Sequence, residues 1–240
     1  MPPLDTISDH LHHLLSATDA RPVELDDAFA LQGDFGGQSV HLEPQAFRGG
    51  GLDWARIARL KGGPRVQVVN AVFLPSIERG GPIFAMELLL FGDAVHLFVI
   101  DLVGARGEAL DAQRRARQSL AANHDLEPVP PWGGPAFSDH LIFFRPGKRA
   151  NFSARQLVPV ITELSDAWLH DFQRPGGHGD YRALRTAFIE IQRQHEPARP
   201  FLTRLSDEET VEYLLHHYLY PVELTRPVQP AKDQGGKGPR

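Results

Sequence analysis

Asn70 and Glu87 interrupt two of the most apolar runs in the chain, VQVVNAVFL (66–74) and IFAMELLLF (83–91). A carboxyl group set among apolar strand residues loses hydration. Its neutral form is then favoured, and it can hold and donate a proton near neutral pH. The plainer readings are an outward-facing or salt-bridged strand residue for Glu87 and a satisfied core amide for Asn70. Arg56 and Arg145 also stand in strand-like runs. Each is either a surface charge or a fork that grips a carboxylate through paired hydrogen bonds. His10 and His13 are three residues apart without a third ligand nearby, and His216-His217 falls on an amphipathic run, so both pairs read as surface. The P-loop, GxGxxG, GxSxG and HExxH patterns do not occur, and GGHGD (176–180) reads as a loop between helices.

Composition narrows the chemistry further. The chain has 240 residues and no cysteine. Disulfides, thiolate nucleophiles, iron–sulfur ligation and cysteine-based zinc sites are thereby excluded. A net charge of −5 argues against a dedicated nucleic-acid binder. Arg114-Arg115-Ala116-Arg117 and Lys148-Arg149 remain as local basic clusters for an acidic partner. The N-terminus shows no basic region followed by an apolar one, and no apolar run approaches the length of about 18 residues that a membrane helix needs. The expectation is a soluble, cytoplasmic monomer.

The candidate residues must be positioned by strands. Strands are expected at Arg65–Leu74, Pro82–Phe91 and Ala94–Asp101, preceded by Asp53–Leu60 and by a hairpin of Leu25–Phe35 and Gln38–Leu42 turning at Gly36-Gly37. This gives an antiparallel meander of about six strands. A helix is expected at Thr6–Ala17 with Asp5 as its N-cap, and another at Glu108–Ala122. Asp139–Arg145 reads as a further strand stopped by Pro146. Helices follow at Ala154–His170, Tyr181–Gln194 and Asp207–Tyr220, the last with Ser206 as N-cap and Glu209 in the capping-box position. Residues 226–240 read as a disordered tail after a single domain spanning residues 1–225. The class is α+β, with helices covering an antiparallel sheet.

The pieces in order resemble the ferredoxin-dependent bilin reductases, which reduce biliverdin to phytobilins. The likeness is carried by Trp54-Ala-Arg56 with Val66–Val72, by Pro75 and Gly81-Pro82-Ile83-Phe84-Ala-Met-Glu87, and by His195-Glu196-Pro197-Ala198 with Leu202-Thr203-Arg204. The most specific part is Pro130-Pro131-Trp132-Gly133, Phe137-Ser138 and Phe144-Arg145-Pro146. Together these cover roughly residues 25–220. The resemblance implies a three-layer α/β/α sandwich with a central antiparallel sheet, no bound metal or flavin, and reduced ferredoxin as electron donor. It implies Glu87, Glu196 and Asn70 as catalytic residues, and Arg56, Arg145 and Ser138 as substrate contacts.

Two departures matter. The family has Asp at the positions of Glu87 and Glu196. The phycocyanobilin-forming branch has His at the position of Asn70 and Glu at that of Ala58, whereas branches forming phycoerythrobilin or 15,16-dihydrobiliverdin have Asn in the former place. The resemblance therefore points to reduction at a methine bridge, of the 15,16-dihydrobiliverdin type, continuing in some members on the A-ring. A phycocyanobilin-type product, another linear tetrapyrrole as substrate, and a bilin- or haem-binding protein without turnover stay open.

Overall fold

The computed structural model describes residues 3–35, 37–62, 66–146, 152–174 and 181–224. Its centre is an eight-stranded antiparallel sheet. In chain order the strands are β1 (Arg21–Val23), β2 (Gln32–Asp34), β3 (Ser39–Gly49), β4 (Leu52–Gly62), β5 (Val66–Pro75), β6 (Ile83–Phe91), β7 (Ala94–Val103) and β8 (Ile142–Phe144). β3 to β7 form the meander read from the alternation. β1 and β2 both pair with β3, at its two ends. Pro44 lies between those two pairings, where β3 has no outer neighbour and a missing N–H costs nothing.

The helices are α1 (Pro3–Ala17), α2 (Gly107–Ala121), α3 (Ala154–Gln173), α4 (Tyr181–His195), α5 (Arg199–Leu205) and α6 (Glu208–Leu214), the last running into a π turn, Leu215–Leu219. Strand alternation divides them between the two faces of the sheet. Ala55, Ile57, Val69, Ala71, Phe73, Leu88, Phe98 and Ile100 point into one core with α1, α2 and α3. Trp168 of α3 is fully buried there, stacked on Phe172 and donating its indole N–H to the Pro82 carbonyl at 2.8 Å. Trp54, Ala58, Leu60, Val72 and Ala85 point the opposite way, into a second core with α4, α5, α6 and the π turn. The result is the expected three-layer α/β/α arrangement, and Asn70 and Glu87, out of phase with the first core, face the α4–α6 layer.

Several local expectations change. Leu25–Phe35 is not one strand; a short 3-10 turn, Asp27–Phe29, precedes the three-residue β2. Asp5 lies inside the first turn of α1 rather than at its cap, and its carboxylate pairs with Arg59 at 2.7 Å. Ser206 ends α5, and the cap of α6 is Asp207, whose side chain accepts from the Thr210 amide at 2.7 Å. No helix was expected between Gln194 and Asp207, but a proline in the first turn of a helix gives up only an N–H that has no partner there, so Pro200 is accommodated and α5 forms. The strand expected over Asp139–Arg145 shrinks to β8 because Ser138–Leu141 makes a turn. Arg65, Gly36 and the expected tail lie outside the described residues, as do Lys148 and Arg149. No helix among the described residues is long and apolar enough to cross a membrane.

Candidate active site

Glu87 and Asn70 sit side by side on β6 and β5 in direct register. The Asn70 amide donates to Glu87 Oε2 at 3.3 Å. Both open onto a cleft between the sheet and the α4–α6 layer. The cleft has two lobes, of about 380 Å³ and 280 Å³. Together they match the roughly 300–1,000 Å³ of a cofactor-sized ligand site. One lobe is walled by Val72, Val99, Trp132, Phe137, Phe143 and Phe188, the other by Ala58, Leu60, Val68, Leu89, Phe201 and Leu219. The residues common to both lobes are Asn70, Glu87, Leu97, Arg145, Glu196 and Pro197. Three ionisable side chains and an amide thus gather at the waist of a mostly apolar cavity.

Glu196 faces Glu87 from the helical side. It directly follows α4, is only 5% exposed, and accepts from the Ala198 amide at 3.0 Å and from the Tyr220 hydroxyl at 3.0 Å. Burial pushes the Glu87 carboxyl up from its usual range to about 7, and the neighbouring Glu196 charge adds to this. Arg56, the Asn70 amide and Arg145 oppose the rise. Glu87 is therefore a carboxyl poised to exchange a proton near neutral pH.

The other expected site residues fall in two places. Arg145 directly follows β8, is exposed at the cleft and lies over the Phe143 ring at 4.8 Å. Arg56 and Ser138 do not line the cleft. Arg56 is fully buried in β4, and each of its three guanidinium nitrogens has a protein acceptor: Leu219 O at 2.9 Å, Asn70 Oδ1 at 2.7 Å and Tyr220 Oη at 3.3 Å. Ser138 donates its amide and hydroxyl to the buried Asp101 carboxylate, at 2.7 and 2.6 Å, and Gln113 adds a third donor at 2.5 Å. Burial pushes Asp101 up to about 6 despite those donors. Its evident role is to tie the Trp132–Leu141 loop to β7, which holds Phe137 and Trp132 against the cleft.

Trp132, His195 and Tyr220 line the cleft without having been expected as site residues. Trp132 stacks on His195 at 5.1 Å at the edge of the cleft, although Trp132 belonged to the most specific motif and so carried a signal. Tyr220, 2% exposed, ends an apolar run and carried none. His10, one of the histidine pair, lies near Asp166 at 3.5 Å, on the α1–α3 side of the sheet. Among the described residues no group of three or more His, Cys, Asp or Glu is arranged to hold a metal.

Comparison with known proteins agrees with this layout. The family described as ferredoxin-dependent bilin reductase matches residues 8–221. The phycoerythrobilin:ferredoxin oxidoreductase of Gloeobacter violaceus is 25% identical over 214 residues, covering 79% of this chain and 82% of the relative. The 15,16-dihydrobiliverdin:ferredoxin oxidoreductase of a Synechococcus strain is 24% identical over 233 residues, covering 90% and 97%. In fold, the crystal structure of tomato phytochromobilin synthase in complex with biliverdin superposes with a TM-score of 0.68 at 15% identity, covering 89% of this chain and 82% of that one. With an antiparallel sheet between two helical layers, an acidic cleft on one face and a match over nearly its whole length, the chain belongs to the ferredoxin-dependent bilin reductases.

Proposed function

We propose that the protein reduces biliverdin with electrons from ferredoxin, and that Glu87 and Glu196 supply the protons. The observation that carries this is the waist of the cleft, where two carboxyl groups approach from opposite walls and burial pushes one of them up to about 7. A linear tetrapyrrole is long, apolar at its edges and polar along its nitrogens, and a two-lobed apolar cleft with a polar waist complements it. Each reduced double bond takes up two electrons and two protons. Ferredoxin delivers the electrons singly and the two acids provide the protons, so the protein's part is to fix where the protons land. Arg145, exposed at the same waist, is placed to pair with a propionate of the substrate. Residues 1–225 act as one cytoplasmic, monomeric unit in this reading, without a bound prosthetic group.

Asn70 bears on the product. A neutral amide orients Glu87 but has no proton to give at physiological pH, so protonation of a methine bridge falls to the two acids at the waist. We therefore expect reduction of the 15,16 double bond at a methine bridge, giving 15,16-dihydrobiliverdin or, with further reduction, phycoerythrobilin. Chromatography of the product formed from biliverdin and reduced ferredoxin tests this. Phycocyanobilin as the main product would overturn it.

The electron donor is acidic as a class, and the encounter is steered by charge. Arg114 and Arg117 line a surface hollow with His124 and His140, and Arg117 is bonded to the Leu141 carbonyl at 3.0 Å, beside the loop that walls the cleft. Raising the salt from about 0.05 to 0.5 M is expected to raise the KM for ferredoxin on the order of tenfold, with little change in biliverdin affinity. A salt-independent KM would contradict steering.

A further inference from the structure

The acids at the waist come from opposite layers of the sandwich, and a single buried side chain touches the support of both. Arg56 Nη1 donates to Asn70 Oδ1 at 2.7 Å, and the Asn70 amide donates to Glu87 at 3.3 Å. Arg56 Nη2 donates to the Tyr220 hydroxyl at 3.3 Å, and Tyr220 donates to Glu196 at 3.0 Å. Its third nitrogen, Nε, holds the carbonyl of Leu219 at 2.9 Å, the last residue of the π turn. Two residues earlier on the same face of β4, Trp54 holds the Tyr218 carbonyl at 3.0 Å. π turns leave backbone carbonyls displaced from the regular helical ladder and recur at functional sites. Here Trp54 and Arg56 take up two of them, and the turn delivers Tyr220 to Glu196.

We propose that Arg56 is the positioning residue of this site: it sets the Asn70 amide toward Glu87 and the Tyr220 hydroxyl toward Glu196 while pinning the π turn, so that both acids are oriented by one guanidinium that never touches substrate. The inference rests on the catalytic reading of the cleft given above. Its logic is the donor count. Asn70 can present its NH2 group to Glu87 only if its oxygen is held from the other side, and a guanidinium is a pure donor. The Tyr220 hydroxyl has one proton, and accepting from Arg56 leaves that proton for Glu196 at 3.0 Å, a nearer acceptor than Gln192 Oε1 at 3.4 Å. Only a planar fork reaches all three acceptors. Lysine keeps the charge but not the geometry.

The groups facing Glu87 are Asn70 on β5, Arg56 on β4, Glu196 before α5 and Arg145 after β8, with His195 and Tyr220 lining the same lobe. Among them Arg56 and Arg145 are the charges that favour the ionised form. Loss of the Arg56 charge should therefore move the alkaline limb of the rate–pH profile upward, by about one pH unit. In single turnovers of the full chain with saturating biliverdin and reduced ferredoxin, Arg56→Gln is expected to be about tenfold or more slower, with its alkaline limb displaced upward and biliverdin affinity within about threefold of wild type. Arg56→Lys should be similarly slow with the limb left in place, which separates geometry from charge. If Arg56→Gln does not fold, Arg56→Lys decides alone. A substrate clamp would instead weaken biliverdin binding about tenfold or more and leave the saturated rate unchanged, and that result, or wild-type rates in either variant, overturns the proposal. Should the wild type fail to reduce biliverdin, the proposed function falls but this inference is still read. Titration of the Glu87 carboxyl by 13C NMR in the ligand-free protein, assigned with Glu87→Gln, must show a higher midpoint in Arg56→Gln, and an unmoved midpoint overturns it.

Discussion

Replacing Glu87 with Gln should slow biliverdin reduction by about 10²–10³-fold while leaving biliverdin affinity within about threefold, because the isosteric amide keeps the shape of the waist but cannot give up a proton. The same variant should be more stable than wild type in alkaline solution. The folded-state value of about 7 lies above the ordinary 4.5, so the native state binds this proton more tightly than the unfolded chain does. The stabilisation from that proton is complete below about pH 4.5 and is lost as the pH rises through 7. Above that point the wild type carries an ionised carboxyl in an apolar cleft, whereas Gln does not. Allowing for partial exposure, Glu87→Gln should gain about 1–3 kcal/mol at pH 8 and nearly nothing at pH 4.5, measured by urea unfolding. Normal turnover by this variant would remove Glu87 from the mechanism.

Glu196→Gln should show the opposite electrostatic signature. Its carboxyl raises the Glu87 value, so its removal lets Glu87 ionise more easily. The alkaline limb of the rate–pH profile should therefore move to lower pH, in contrast to the upward movement expected for Arg56→Gln. Loss of the second acid should lower the maximal rate by about 10–100-fold as well. The amide can still accept from the Ala198 N–H, so the turn into α5 is retained and the change remains local. A limb that does not move would show that the two carboxyl groups do not sense each other, and a limb that moves upward would reverse their assigned relation.

The parts of this site differ in how far they could be read from sequence. Asn70 and Glu87 stood out because strand alternation has a period of two, and a polar residue inside a run otherwise buried on both faces breaks it. The order of strands in the meander followed from the same alternation and from short turns between neighbours. Glu196 carried no local signal and was reached only through the resemblance around His195–Ala198. Arg56 was visible as a residue and expected at the substrate, but its burial against Tyr220 could not be read, since that partner lies 164 residues away and only the folded chain brings the two together. The π turn was read as plain helix because its apolar spacing fits either form. Helix α5 was hidden by Pro197 and Pro200, which also suit a loop.

The most direct test of the central claim is the absorbance of a one-to-one complex with biliverdin when reduced ferredoxin is added without oxygen. The account predicts that the biliverdin bands disappear and those of a bilin with a shortened conjugated system replace them, in step with ferredoxin oxidation and at a rate that Glu87→Gln suppresses. A complex that binds biliverdin stoichiometrically and keeps its spectrum unchanged under those conditions would contradict it.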